Sequence, residues 1–258
     1  MLNFRSASIL VIILAALVSL LMIFHPHYWW ILLPLAGFYL LLLTAGSVFI
    51  SFNFYLRALC LGNKIEKVAA LTFDDGPDQA ITPKVLAVLE KHNIPASFFI
   101  IGRKAKKNGA LLRQIINHNH LVGIHSYKHG FFFDFYRKRD MEQDLLKTED
   151  AITYIAGKKP LLFRPPYGVT NPNLARAVRN LDFKVIGWSV RSLDTTIKDA
   201  EKVSKRIIRK LHPGAVILMH DTQDVTPEAL EMVINRAKED GYRFIGLEEM
   251  FGIEAYEN

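Results

Sequence analysis

The sequence predicts an α/β protein: a distorted or incomplete (β/α)7–8 barrel preceded by an N-terminal transmembrane helical hairpin. Three observations point there. Residues 6 to 56 contain no Lys, Arg, Asp or Glu. From Val68 onward, short continuously apolar runs alternate with amphipathic ones, the pattern of parallel strands covered by helices. Residues 68–245 are also too few for a full (β/α)8 barrel, which takes about 250. A doubly wound open sheet is the alternative arrangement of the same elements.

Composition bounds the answer. A chain of 258 residues holds one or two domains. With 50% hydrophobic and 22% charged residues it is neither disordered nor collagen-like. The single cysteine, Cys60, excludes an intramolecular disulfide framework and any multi-cysteine zinc or iron–sulfur site. All but one unit of the +7 net charge lies beyond residue 56. That surplus suits an anionic membrane surface or an anionic substrate. No nucleic-acid motif accompanies it, so nucleic acid is not an expected partner.

Residues 1–56 read as a membrane anchor of two helices, about 8–24 and 28–50, joined at His25-Pro26-His27. Each run is long enough to cross ~30 Å of hydrocarbon. Tyr28, Trp29 and Trp30 stand where interfacial aromatics belong. A signal peptide is the competing reading, but the bulky Leu20–Phe24 end offers no small-x-small cleavage site. Arg5 precedes the first span, Arg57, Lys64 and Lys67 follow the second, and the turn has no basic residue. The positive-inside rule then expects a two-span protein of the cell membrane with its catalytic domain in the cytoplasm.

The remainder, 66–250, is expected to be one catalytic domain. Strands are expected at 68–73, 96–100, 121–124, 161–163, 183–188, 215–219 and 242–245. Helices are expected at 82–92, 110–118, 140–156, 172–180, 200–211 and 227–239. Thr82-Pro83 opens the first of these helices, and Gly157 closes the long one.

Polar clusters fall where strands end: Phe73-Asp74-Asp75-Gly76-Pro77, His125-Ser126-Tyr127-Lys128-His129, Arg164-Pro165-Pro166-Tyr167-Gly168, the stretch from Trp188 to Asp194, and His220-Asp221. Singly, each reads equally well as a turn, a cap or a satisfied core side chain. In a parallel barrel all these ends share one face, where active sites are built. Two imidazoles and a carboxylate suit Zn²⁺ with a water at an open position. Asp74 and Asp75 supply one carboxylate for the metal and one to take that water's proton. An Arg beside the base would hold its pKa down. A His on the opposite wall would protonate a leaving amine.

These ordered motifs resemble those of the NodB-homology polysaccharide deacetylases, carbohydrate esterase family 4. The resemblance covers roughly residues 66 to 250. It rests on Thr72–Pro77, His125–His129, Arg164–Gly168, a degenerate fourth segment and Leu218-Met219-His220. It implies removal of N-acetyl groups from amino sugars such as those of peptidoglycan or chitooligosaccharides, or of O-acetyl groups from some polysaccharides. It further implies Asp74 as general base and Asp75, His125 and His129 as ligands of a divalent metal, with Zn²⁺ the first choice. Arg164 would hold Asp74, and the Tyr167 N–H would stabilise the oxyanion. His220 would be the general acid, oriented by Asp194. Pro166, Tyr167, Trp188 and Leu218 would contact substrate.

The fourth segment departs from the family pattern: Ser192-Leu193-Asp194-Thr195 has Thr195 where Trp is usual, and Arg191 where the first Asp often stands. Phe131-Phe132-Phe133-Asp134-Phe135-Tyr136, followed by Arg137, Lys138 and Arg139, reads either as a core-packing loop or as a rim facing lipid or a lipid-linked sugar. Three rivals stand beside a glycan deacetylase. One is a deacetylase or deformylase of lipid-linked amino-sugar precursors at the cytoplasmic membrane face. Another is a catalytically dead sugar-binding protein. The last is a two-His-one-carboxylate Fe(II) oxygenase.

Overall fold

The computed structural model describes residues 3–257, so the first two residues assigned to the anchor lie outside it. Helix α1 runs Phe4–Phe24, about 31 Å at 1.5 Å per residue. A capping box starts it: the Asn3 side chain accepts from the Ser6 N–H, and the Ser6 hydroxyl accepts from the Asn3 N–H. The turn then differs from the expected three residues. Pro26 opens a 3-10 helix over Pro26–Ile31, which runs directly into α2, Leu32–Val48. Both spans are long and apolar enough to cross a membrane, and almost none of their surface is buried in the protein. They pack antiparallel, with Ser8 Oγ and Tyr39 OH 2.7 Å apart.

The rest of the described chain is built on one parallel sheet whose strands are β1 (Ala58–Leu59), β2 (Val68–Asp74), β3 (Ala96–Ile100), β4 (Leu121–Ile124), β5 (Leu162–Phe163), β6 (Lys184–Ile186), β7 (Val190–Arg191), β8 (Ala215–His220) and β9 (Arg243–Phe244). Their order is β1-β6-β5-β4-β3-β2-β8-β7, with β9 beside the start of β2. Strands β2, β3 and β8 are buried along their whole length, which accounts for their predominantly apolar character. The expected strand 183–188 is shorter, Lys184–Ile186, and an unexpected further strand, Val190–Arg191, follows it. Lys184–Ile186 pairs at one edge and Val190–Arg191 at the other. Residues 187–189 therefore bridge the two edges, and the sheet curls into an incomplete barrel with its seam there. Gly187 N–H donates to Leu59 on one side, and Ser189 N–H to Val216 on the other.

Helices α3 (Thr82–His92), α4 (Gly102–Lys107), α5 (Gly109–Asn117), α6 (Lys138–Ala156), α7 (Pro172–Asn180), α8 (Ala200–Lys210), α9 (Thr226–Glu239) and α10 (Leu247–Phe251) cover the sheet. The longer ones present a buried apolar stripe to it, as Val85, Leu86 and Leu89 do on α3.

The two N-terminal helices are tied to the barrel rather than tethered by a loose linker. Phe4 N–H donates to Phe54. Ile50 is buried in the core, and Asn53, with φ 53°, turns the chain and accepts from Ala58 N–H. At the end of α2, Thr170 N–H donates to Ser47, Thr170 Oγ1 to Gly46, and Ser47 Oγ back to Thr170.

Candidate active site

The C-terminal ends of β2, β4, β5 and β8 converge on a cleft of about 210 Å³. Asp74, Asp75, His125, His129, Tyr167, Gly168, Trp188, Arg191, Thr195, Leu218 and His220 line it. Parallel strands put their C-terminal ends on one face, so segments far apart in sequence meet there. Adjacent residues on a regular strand would point to opposite sides. Asp75 escapes this because it has left β2 and has φ 75°. Ser126, His129, Tyr167 and Leu193 also adopt positive φ around the cleft. Such backbone persists where surrounding contacts over-determine it, commonly at functional sites.

Asp75, His125 and His129 offer ligand atoms that all lie within 4.8 Å of one another. Asp75 Oδ1 is 3.6 Å from His125 Nε2 and 3.3 Å from His129 Nε2. His125 Nδ1 lies 2.8 Å from the Arg164 carbonyl. Only a ring N–H satisfies a carbonyl there, so Nε2 keeps its lone pair for the cleft. Asp75 Oδ1 is buried and accepts no hydrogen bond among the described residues. A buried carboxylate oxygen facing two imidazole nitrogens fits a divalent cation, and the mixed N/O donor set suits Zn²⁺. Burial and the neighbouring His125 push the His129 pKa down, which favours the neutral, ligating ring.

Asp74 sits deeper. Its Oδ1 accepts from Arg164 Nη1 at 2.8 Å, and its Oδ2 is 3.8 Å from His125 Nε2. Arg164 is fully buried, yet its donors are matched. Nη1 also reaches Thr72 Oγ1, Nε donates to Ile186 and Nη2 to Gly187, while the guanidinium lies 4.2 Å from the centre of the Phe99 ring.

Across the cleft, Asp194 Oδ1 accepts from His220 Nδ1 at 2.7 Å and from Ser192 Oγ at 2.8 Å. Its Oδ2 accepts from His220 N–H and Thr226 Oγ1, each at 2.8 Å. Burial alone would raise the Asp194 pKa, but the His220 hydrogen bond and charge outweigh it and lower it. Burial alone would lower that of His220, but the Asp194 hydrogen bond and charge, with help from Asp74 and Asp75, raise it. The imidazole thus holds its proton to higher pH, with Nε2 as the ring nitrogen not used by Asp194.

Pro166, Tyr167 and Gly168 form a 3-10 turn whose hydrogen bonds come from Gly168 and Val169, leaving the Tyr167 N–H outside them. The Tyr167 ring stands edge-on to His129, centroids 4.7 Å apart. Pro166 itself is buried behind the turn. Trp188 and Leu218 line the cleft as expected, and Arg191 lies 5.9 Å from the Trp188 ring centre. Gly168, at φ 71°, lets the indole close in, because a Cβ there would run into it.

Sequence reading did not single out Thr72, Ser192 or Thr226, which orient Arg164 and Asp194. It also missed the role of Asp221. That carboxyl is buried behind Gly76, accepts from Thr82 Oγ1 at 2.6 Å and is pushed up to about 7, chiefly by burial. Thr72, Ser192 and Asp221 fall inside the motif segments, but residue type alone does not reveal their partners; Thr226 carries no local signal.

Comparison with known proteins decides the family. A polysaccharide deacetylase family model matches residues 62–186. A peptidoglycan-N-acetylglucosamine deacetylase of Bacillus cereus is 35% identical over 193 residues, covering 73% of this chain and 69% of that one. The chain belongs to the polysaccharide deacetylase family. The peptidoglycan-N-acetylglucosamine deacetylase PgdA of Listeria monocytogenes is 34% identical over 189 residues, and the match takes in 73% of this chain but only 40% of that longer protein. The solved Bc1960 peptidoglycan N-acetylglucosamine deacetylase superposes with a TM-score of 0.74 at 31% identity, covering 78% of this deacetylase-family chain and 95% of its own.

Proposed function

We propose that this protein is a membrane-anchored, metal-dependent hydrolase that removes N-acetyl groups from peptidoglycan amino sugars. The observation that carries the reading is the pairing of two differently held carboxylates. Asp75 Oδ1 faces two imidazoles without a hydrogen-bond partner, while Asp74 is clamped by Arg164. The full Asp-Asp-His-His set with His220 argues against a catalytically dead sugar-binding protein. The second carboxylate and the acid His suit hydrolysis better than oxygen chemistry.

Asp75, His125 Nε2 and His129 Nε2 would hold the metal. When bound, a divalent ion lowers the pKa of an attached water and polarises an amide carbonyl. Asp74, held through Oδ1 by the Arg164 guanidinium, takes the proton of the attacking water on Oδ2. The Tyr167 N–H donates to the carbonyl oxygen as charge gathers on it. His220 gives its Nε2 proton to the departing nitrogen while Asp194 holds Nδ1–H. A C–O bond forms, the amide C–N bond breaks, and acetate and a free amine leave. Trp188 and Leu218 enclose the acyl methyl, with Trp188 supplying the aromatic surface beside Thr195 in the cleft wall.

The test is acetate release by the purified full chain from N-acetylglucosamine oligomers and from peptidoglycan. Release that needs added Zn²⁺ supports the reading. Tight sugar binding without acetate would replace it with the binding-protein reading, and turnover that requires oxygen would replace it with the oxygenase.

One observation favours a second substrate. The basic residues Arg5, Arg57, Lys64 and Lys67 all lie on the domain side of the two apolar helices. That charge distribution favours a cytoplasmic domain acting on a lipid-linked amino-sugar precursor, as deacetylase or deformylase. Sidedness separates the two readings. In a Cys60→Ser background, Lys210→Cys puts a single exposed thiol at the end of α8. Labelling by an impermeant maleimide in intact cells supports the wall substrate. Labelling only after permeabilisation supports the precursor.

A further inference from the structure

The loop after the metal-ligating histidines divides its aromatic residues in two. Phe133 is 1% exposed and packs into the core, whereas Phe131, Phe132 and Phe135 are 75%, 67% and 81% exposed. The run is therefore neither wholly a core loop nor wholly a rim. A 3-10 turn over Phe133–Phe135 pins Phe133 inward and turns its neighbours out. Three phenylalanines this bare on one short loop are costly to leave in water.

Their position suggests what covers them. Asn171 Nδ2 donates to the Asp134 carbonyl at 2.8 Å, and Asn173 Nδ2 to the Tyr136 carbonyl at 3.2 Å. Thr170, next in the chain, carries the three hydrogen bonds to Gly46 and Ser47 at the end of α2. One four-residue segment, 170–173, thus holds both the aromatic loop and the domain end of the second apolar helix. Phe49 and Phe52 are also exposed at that end. Beside the loop, Lys138 is paired with Glu142 at 3.4 Å. The exposed Arg137 and Arg139 have no carboxylate partner among the described residues. Tyr167, at the cleft mouth, lies three residues before Thr170.

We propose that Phe131, Phe132 and Phe135, with Arg137 and Arg139, form a second membrane contact that seats in the interface of an anionic bilayer and holds the cleft mouth against the membrane surface. This rests on the membrane-anchored reading above. Exposed aromatics beside cations match the interfacial layer, where rings meet acyl chains and guanidinium groups meet phosphate. The contact continues the surface that α2 already defines. Two attachments at one rim restrict the domain's tilt, so the cleft meets glycan presented close to the bilayer.

Depth-dependent quenching tests this on the full chain reconstituted in vesicles of phosphatidylcholine and phosphatidylglycerol. In the Cys60→Ser background, an environment-sensitive fluorophore is placed at Phe132→Cys, at Leu40→Cys within the second span, and at Lys210→Cys. Lipids brominated near the headgroup and along the chain serve as quenchers. The proposal expects loss of emission at 132 with shallow quenchers, loss at 40 with deep ones, and none at 210. Quenching at 40 without quenching at 132 overturns the second contact and leaves the anchor standing. No quenching at 40 overturns the anchor reading and the proposal with it. An emission shift at 132 on adding N-acetylglucosamine oligomers, with no lipid quenching, would reassign the loop to glycan. Phe131→Ser with Phe135→Ser should weaken quenching at 132, and unchanged quenching in that variant would also count against the contact.

Discussion

Asp74 and His220 are register partners at the C-terminal ends of adjacent parallel strands, β2 and β8. One rung of the sheet thus carries both groups proposed to handle protons, and each is held from behind by an opposite charge. Arg164 donates to Asp74, and Asp194 accepts from His220. Asp75, His125 and His129, the proposed metal ligands, lie beyond Asp74, on the side of β4. Asp74 and His220 are thus carried by the strands themselves, whereas Asp75, His125 and His129 stand just beyond strand ends.

The Arg164–Asp74 pair should be intolerant of change. Arg164→Ala leaves a buried carboxylate without its cation and strands the Ile186 and Gly187 carbonyls. We expect a loss of about 3–5 kcal/mol in chemical denaturation. Arg164→Lys should also fail to restore activity, because one ammonium cannot serve Asp74, Thr72, Ile186 and Gly187 together. A lysine variant with wild-type turnover would contradict this role.

The alkaline limb of the pH–rate profile should report His220. The residue gives a proton, so activity falls as pH rises through its pKa in the folded protein, which Asp194 holds above the ordinary histidine value. Asp194→Asn removes that support. The limb should move to lower pH, and turnover should drop by about 10²–10⁴. An unmoved limb in Asp194→Asn would assign the ionisation elsewhere.

Gly168→Ala tests the cleft wall. A Cβ there meets the Trp188 indole, and φ 71° disfavours alanine as well. We expect a stability loss of about 1–3 kcal/mol and a raised KM, since the ring must tilt into the space for the acyl group. The readouts are a denaturant melt and a substrate titration.

Within the phenylalanine run, burial predicts opposite outcomes for neighbours. Phe133→Ala should cost about 3–5 kcal/mol, and Phe131→Ala in detergent solution no more than about 0.5 kcal/mol. Equal effects would contradict the way the 3-10 turn divides the loop.

Particular residues mark how far sequence alone reached. The long strands were readable because burial on both faces makes Ala215–Met219 continuously apolar and leaves Thr72 the one polar residue in Val68–Phe73. The cleft residues were readable because each stands where such a run stops. Strands Ala58–Leu59 and Val190–Arg191 were not, because two residues carry no period. Helix Gly102–Lys107 was read through as a loop, since its basic stretch shows no apolar stripe. Nor does residue type announce that Asp75 takes positive φ. Only the assembled turn explains how two consecutive carboxylates reach one cleft. In the Phe131–Phe135 run, chemistry was uniform while burial was not, so tertiary contact alone chose Phe133.

The most direct test of the central claim separates the two adjacent carboxylates. Asp74→Asn and Asp75→Asn are purified as full chains, loaded with Zn²⁺, and assayed for bound metal and for acetate release. Asp75→Asn should lose both metal and turnover. Asp74→Asn should keep its metal and lose turnover by about 10²–10⁴. Near-full activity in Asp74→Asn, or undiminished metal binding in Asp75→Asn, would contradict the division of labour on which the proposed mechanism rests.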